Sequence, residues 1–515
     1  MILRWLIVMV ALLSPAIARA EWFEASSDHF VVYLEGTAER AERFASDLER
    51  FDRSLRIARG IADSPPGAAN RVTVYVVDDT DTTQALSSRG VAGFYIGRAG
   101  GPMAVVPRHA GDERQFELSG RQVLHHEYAH HFMYTSWPGI AFPSWFIEGF
   151  AEFHATSVID REGGVVLGAP PQYRAHSIMA GNWLPLNKML IAETLKLNEV
   201  QREALYGRGW LLTHYLNFNR ARTAQLTDYF KALNAGKPPI DAATAFGDLK
   251  TLDRELERYK RTRFELRRVP PQSMKLGAIN VRQLRAGEAA LMDIRIRSKV
   301  GVNKKTAAGV YARAARASAP YPDDPAVQIV LAEAAYDAGD YSVAEAAADR
   351  ALAADPKAID AYVYKAMSRM GVARKAGDLT PGTWSAIRKI IATANRLDPD
   401  DPEPHILFFR SFGLARQAPT ANAKTGLMYA FTLAPYDINL RMNAALVQLQ
   451  DGKLDAARAM LRPVAYNPHG GGHSTAAAEI IARIDSGDRA AIDALLERQQ
   501  GEDEDQADGD GGAGE

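Results

Sequence analysis

The sequence predicts two regions in series: an α+β domain followed by an all-α helical solenoid. Three observations predict it. Up to about residue 110, short β-branched runs alternate with one long amphipathic stretch, the pattern of strands and a helix around a sheet. From about residue 120 to 268 the pattern is mostly helical. Beyond residue 290, alanine-rich segments recur between loop prolines at near-constant spacing, as stacked helical units do.

Residues 1–20 read as a secretion signal. Arg4 supplies the positive start, Trp5 to Leu13 the apolar core, and Ala18-Arg19-Ala20 the small-x-small cleavage site. The apolar run falls short of the about 20 residues a bilayer crossing needs. No later stretch approaches that length, so no integral membrane segment is expected after cleavage behind Ala20. The mature protein is expected in the periplasm or outside the cell. There is no cysteine, which excludes disulfides and lipid acylation at the cleavage point. Stability must come from packed cores. The 61 basic and 62 acidic residues nearly cancel, and the balance does not suggest nucleic acid. Residues 499–515 form a Gly/Asp/Glu-rich tail of the kind that stays disordered.

Within residues 21–268, Asp28 to Leu34 reads as a strand, Ala38 to Ala58 as a helix and Arg71 to Val77 as a second strand. Gly93 to Gly97 and Pro102 to Pro107 look like the arms of a hairpin around Arg98-Ala99-Gly100-Gly101.

The chemistry begins at Val123-Leu124-His125-His126-Glu127-Tyr128-Ala129-His130-His131, which holds one H-E-x-x-H. Helix positions four apart share a face, so His126 and His130 can hold one Zn²⁺, with Glu127 beside them to accept a proton from water at the metal. The flanking His125 and His131 do not compete, because Ala129 and Glu127 occupy their partner positions. A second helical run, Pro143 to Phe153, offers Glu148 as a third ligand, with 17 residues between it and His130. Two histidines, one carboxylate and an open fourth position make a catalytic zinc arrangement. The competing reading is a solvated helix whose histidines make polar surface contacts.

His126-Glu127-x-x-His130 followed by Trp145-Phe146-Ile147-Glu148-Gly149-Phe150-Ala151-Glu152 resembles the gluzincin metallopeptidases, most of all their peptidase-MA-like branch. The resemblance spans roughly residues 21 to 268 and implies a zincin-like fold, one Zn²⁺ per chain and peptide-bond hydrolysis. It implies that Glu148 is the third ligand and that Glu152 orients a ligand imidazole. The G-x-M-E-N segment of the aminopeptidases in that clan has no counterpart, which argues against exopeptidase activity. By the same resemblance, Pro102, Met103, Ala104, Val105 and Val106 form an edge strand to which substrate adds, unless they are a plain structural hairpin. Tyr206 is the preferred oxyanion-stabilising residue, with Arg208 and His214 as alternatives and an aromatic core position as the competing reading.

Residues 269–290, with Pro270-Pro271 and Gly277, read as a linker, and 291–498 as the repeat domain. Pro322, Pro356, Pro399, Pro435 and Pro468 recur at intervals of 34, 43, 36 and 33. The unit Leu331-Ala332-x-x-Ala335-Tyr336-x-x-Gly339-Asp340-Tyr341-x-x-Ala344, ending at Asp355-Pro356, resembles the tetratricopeptide repeat. The second unit carries a nine-residue excess around Ala373 to Pro381, and Thr475 to Arg498 would cap the array. Such arrays bind a protein partner in their groove or brace a neighbouring domain. The functional expectation is therefore an exported zinc peptidase acting on peptides or proteins; the alternative is a catalytically inactive scaffold or adaptor on a relic zincin fold.

Overall fold

A computed structural model describes residues 21–87, 93–109, 118–179, 184–488 and 490. The signal segment, the end of the capping helix and the acidic tail lie outside the described residues.

The chain enters through β1 (Glu21–Ser26) and β2 (Phe30–Gly36), then a long helix, α1 (Ala38–Arg59). Thr37 caps the start of α1 by accepting from the Arg40 N–H, and Gly60, at φ +66°, ends it in the left-handed conformation that glycine tolerates best. β3 (Val72–Asp79), β4 (Phe94–Ile96) and β5 (Met103–His109) complete one side of a six-stranded sheet ordered β4-β5-β3-β2-β1 and a sixth strand from far along the chain. β2, β3 and β5 run parallel, whereas β4 and β1 are antiparallel to their neighbours. Two helices follow: α2 (Gly120–Ser136) and α3 (Ser144–Ala155). The small strands β6 (Val158–Ile159) and β7 (Val165–Leu167) precede the long helices α4 (Glu199–Phe218) and α5 (Arg220–Asn234). β8 (Arg267–Val269) pairs with β7, so a small three-stranded sheet accompanies the helices of this region.

Val72 and the run Val74 to Val77 make the body of β3 apolar, because both faces of the sheet are covered there. Val72, Val74 and Val76 join α1 and α2 in the main core. Tyr75 and Val77 point the other way, with Tyr33, Met103 and Val105, onto Leu284, Met292 and Ile296. The last two belong to α6 (Met292–Val300), the opening of the helical region. The intervening stretch is not a free linker: β9 (Asn280–Gln283) is the sixth strand, pairing Phe23 with Gln283 and Ser26 with Asn280.

The expected substrate edge is corrected by the same topology. β5 pairs with β4 on one side and with β3 on the other, and Pro102, Met103, Ala104, Val105 and Val106 are all buried. Among the described residues Met103, Ala104 and Val105 are paired on both sides, so no backbone edge remains at them for a peptide to join. Among the described residues the outer strand is β4, where Tyr95 donates to or accepts from His131 Nδ1 at 2.6 Å.

Beyond α6 the chain is a helical repeat array. Four antiparallel helix pairs follow in series among the described residues: Pro325–Asp337 with Tyr341–Ala354, Ile359–Lys375 with Pro381–Leu397, Pro402–Leu414 with Ala421–Leu433, and Ile438–Gln450 with Leu454–Ala465. Gly471–Ser486 closes the array. Pro322, Pro356, Pro399, Pro435 and Pro468 each stand in a turn before the next unit. The excess in the second unit lengthens both its helices to 17 residues, against 13 and 14 in the first. Tyr341 lies over Gly371 of that unit, where a Cβ would sit 2.6 Å from its ring.

The array folds back onto the first domain. Asn70 Nδ2 donates to the Asp400 carbonyl at 3.0 Å, the Ala99 N–H to Asp437 Oδ2 at 2.8 Å, and Arg441 to the Pro138 carbonyl at 2.8 Å. Ser144, at the first turn of α3, donates to the Tyr466 carbonyl at 3.2 Å. The repeats are thus fixed beside the helices that carry the H-E-x-x-H and Glu148.

A buried pair ties β2 to α1: His29 Nδ1 lies 2.9 Å from Glu49 Oε2, and the His29 N–H donates to Glu49 Oε1 at 2.8 Å. Burial pushes His29 down, but Glu49 and Asp52 outweigh it and raise it above 6.5. Burial likewise pushes Glu49 up, and His29 more than reverses this, taking it below 4.5. The Glu49 contribution to stability is present above pH 4.5 and lost as pH falls through its depressed folded value. The His29 contribution is present below pH 6.5 and lost as pH rises through its raised folded value. The stability difference between the wild type and His29→Asn should therefore peak between these limits and shrink toward pH 9. A difference that is flat with pH in chemical denaturation would contradict the pairing.

Candidate metal centre

α2 starts at Ser119, whose hydroxyl accepts from the Gln122 N–H while the Gln122 side chain accepts from the Ser119 N–H. This reciprocal cap fixes the helical register of the histidines. His125 turns inward and stacks on Phe51 at 3.9 Å, and His131 turns toward Tyr95 and Tyr436. His126 and His130 share the remaining face, with their Nε2 atoms 3.1 Å apart.

α3 brings Glu148 to that face. Its packing on α4 is set by two glycines: a Cβ on Gly149 would fall 2.3 Å from the Gly209 carbonyl oxygen, and one on Gly209 2.6 Å from that of Trp145. The two backbones touch because neither residue has a side chain. Glu148 Oε2 consequently lies 3.5 Å from His126 Nε2 and 3.8 Å from His130 Nε2. One ligand atom from each of the three residues lies within 4.8 Å of the others.

These residues fit a metal ion. Two ligand atoms at 2.0–2.2 Å from zinc in tetrahedral geometry stand roughly 3.3–3.5 Å apart, close to the three separations found. Glu148 is fully buried, yet neither of its oxygens has an aligned hydrogen-bond donor. A buried carboxylate without donors is costly unless a cation compensates it. Burial alone pushes the Glu148 carboxyl up, but the imidazoles of His469, His126 and His130 hold it well below the usual carboxylate range. Burial, with help from His126 and His469, drives His130 down to about 3 despite Glu148, leaving the neutral imidazole that metal binding requires. His126 is raised: burial lowers it, and the carboxylates of Glu148, Glu152 and Glu127 more than compensate.

Glu127 is half-buried beside this group, close enough for its charge to act on His126, Tyr134 and Tyr206. Glu152, one turn after Glu148, places Oε1 3.7 Å from His126 Nδ1. Arg174 Nε donates to Glu152 Oε1 at 3.0 Å and the Tyr173 hydroxyl to Oε2 at 2.7 Å. Arg174 also lies over the Tyr206 ring, 4.6 Å from its centre, and that ring is 6.1 Å from His126. Tyr206 is therefore at the site. Arg208 and His214 are not: Arg208 pairs with Asp253 at 2.6 Å, and His214 bonds Tyr259 and the Glu265 carbonyl in the core. Replacing Glu152 by Gln should weaken metal binding about 10- to 100-fold, measured by competition with a chromogenic chelator. Unchanged affinity would reduce Glu152 to a partner of Arg174.

Sequence reading missed several neighbours. Tyr134, one turn beyond His130, has a buried hydroxyl without a hydrogen-bond partner; its helical spacing was the available signal. Tyr173 and Arg174 come from a short loop with no pattern. His469, from the repeat array, stands 2.8 Å from Glu148 Oε1, and no local signal marks it.

No protein-family model matches the chain, and no curated protein matches it. Among solved structures, a thermophilic TPR protein of Thermus thermophilus is similar at 17% identity and a TM-score of 0.33, covering 38% of this chain and 100% of that one. Yeast Tom70 is similar at 14% identity and a TM-score of 0.28, covering 61% of this chain and 67% of that one.

Proposed function

We propose that the chain is an exported zinc-dependent peptidase that hydrolyses peptide bonds in peptide or protein substrates. The observation that carries this is the buried Glu148 carboxylate facing His126 and His130, with Glu127 next to them. His126, His130 and Glu148 would hold one Zn²⁺, which when bound polarises a carbonyl and makes water acidic enough to lose a proton near neutral pH. Glu127 accepts that proton and returns it to the departing amine, so it ends the cycle as it began. Glu152, fixed by Arg174 and Tyr173, orients the His126 ring. Tyr206 and Tyr134 are the hydroxyls placed to donate to the oxyanion; burial raises both well above their ordinary range, which keeps them protonated donors. The composition of residues 1–20 supports delivery to the periplasm or the medium. Among the described residues no helix is long and apolar enough to cross a membrane.

The test is stoichiometric metal analysis of the purified mature protein beside Glu148→Ala. About one zinc per chain in the wild type, lost or much weakened in the variant, is the expected result. A wild type that takes up no zinc from excess metal would refute the reading.

The helical repeats favour a second reading, a scaffold or adaptor whose TPR-like array holds a protein partner. Its supporting observation is the run of stacked helix pairs from residue 325 onward. Under this reading Glu127→Gln would leave every biological readout intact, whereas deletion of the array would not.

A further inference from the structure

The turn between β4 and β5 leaves the first domain and enters the repeat array. Its closure is local: the Gly101 N–H donates to the Arg98 carbonyl at 3.2 Å, and Gly101 takes φ +121°, which favours glycine. What holds the turn is not local. Ala99 is 2% exposed, in a cluster with Leu427, Ala430 and Ala434 of the third and fourth repeat units. Its N–H donates to Asp437 Oδ2 at 2.8 Å. A Cβ on Gly100 would lie 3.1 Å from Glu403 Oε2, so the backbone passes close to that carboxylate. Arg98 donates to the Lys299 carbonyl at the end of α6. Its charge acts on Asp337 and Glu403, which belong to the first helices of two repeat units. Burial pushes Asp337 up to about 7 and raises Glu403, and Lys299 and Arg98 oppose both shifts. Lys299 is already engaged, with Nζ 3.2 Å from Glu333 Oε1, while Glu333 Oε2 is buried with no hydrogen-bond partner. Arg98 is therefore the cation that the turn adds to a partly buried group of carboxylates.

We propose that the repeat array carries a receptor site for an arginine followed by small residues, and that the chain's own Arg98-Ala99-Gly100-Gly101 turn is its resident ligand. Each part of the seat reads one feature of the turn. The carboxylates take the guanidinium, the alanine-lined cluster admits a side chain no larger than Ala99, and Asp437 takes a backbone N–H. Gly100 lets the backbone approach Glu403. An outside protein reaches this face of the array only by displacing the turn. The seat also steadies the first domain, because Tyr95, three residues before Arg98, meets His131 Nδ1 at 2.6 Å on the helix of the H-E-x-x-H. None of the groups in the seat is a candidate metal ligand, so the inference stands whether or not zinc binds.

The probe is a fluorescently labelled synthetic peptide with the sequence of Ile96 to Met103, titrated into full-length protein and read by anisotropy. Ala99→Leu in the protein should expel the turn, since the larger side chain has no room in its cluster. That variant should bind the peptide, whereas the wild type, its seat taken, should not. A peptide carrying Arg98→Ala should bind the variant at least about 10-fold more weakly, as loss of a charged hydrogen-bonding group implies. Binding of the native peptide to neither protein, or equally to both, would overturn the proposal. Trypsin cleavage after Arg98 gives a second measurement that needs no larger side chain. Asp437→Ser can still cap the helix Ile438–Gln450 but loses the acceptor for the Ala99 N–H. Cleavage after Arg98 should then be about 10-fold faster than in the wild type, because opening of the turn costs less. Equal cleavage rates would mean that the array does not hold the turn.

Discussion

Glu127→Gln should lower peptidase turnover by at least about 10²- to 10⁴-fold, the usual contribution of a general acid–base group, while the protein keeps its zinc. Gln matches Glu in size and still hydrogen-bonds, but its amide accepts no proton at neutral pH. Metal retention follows because the ligand set lies elsewhere: His126 and His130 face Glu148, and Glu127, outside that group, acts on His126 through its charge. The two readouts separate the roles cleanly. Loss of activity with zinc still at about one per chain identifies the base, whereas loss of both would mean that Glu127 holds the site together. Cleavage of a degenerate peptide library, followed by mass spectrometry, reads activity without a substrate chosen in advance. Undiminished cleavage by the variant would rule out the mechanism. No cleavage by the zinc-loaded wild type would favour the scaffold.

How much of this was legible follows the range of each interaction. His126 and His130 are one helical turn apart, and local spacing alone places them on one face. Glu148 needs only a loop and a second helix start, so it too could be read along the chain. The repeat period was legible because each unit packs mainly on its neighbours. The sheet was legible only in pieces. Val72 to Val77 reads as a strand, but its apolar run does not say that β3 lies between β2 and β5. With β4 on its other side, that order removes the free edge from Met103 to Val105. β9 shows the same failure at longer range, since Ala25 pairs with Val281 through a stretch whose prolines read as a linker. His469 is the extreme case. A histidine between a proline and three glycines looks like loop composition, and only the folding-back of the array onto Ser144 puts it at Glu148.

Gly149→Ala should produce the largest loss of stability of any single methyl added to the first domain's site. The new Cβ would meet the Gly209 carbonyl oxygen at 2.3 Å and Thr213 Oγ1 at 2.4 Å, both far inside contact distance. A carbonyl in the middle of α4 cannot rotate away, so the helices must separate. Overpacking of this kind costs about 1–3 kcal/mol or more, and each kcal/mol lowers Tm by about 2–4 °C in a domain of this size. The function should fall with it. Glu148 immediately precedes Gly149, so moving α3 off α4 moves the third ligand away from His126 and His130, and zinc affinity should drop alongside Tm. Gly309 supplies the control, because it lies on the exposed face of the helix Ala307–Ser318 with nothing within 4 Å of its added Cβ. Gly309→Ala should be neutral or stabilising by up to about 1 kcal/mol, with metal binding unchanged. Equal Tm values for the two variants would mean that the α3–α4 crossing tolerates a side chain. Glu148 would then owe its position to the three imidazoles around it rather than to the contact between the two glycines.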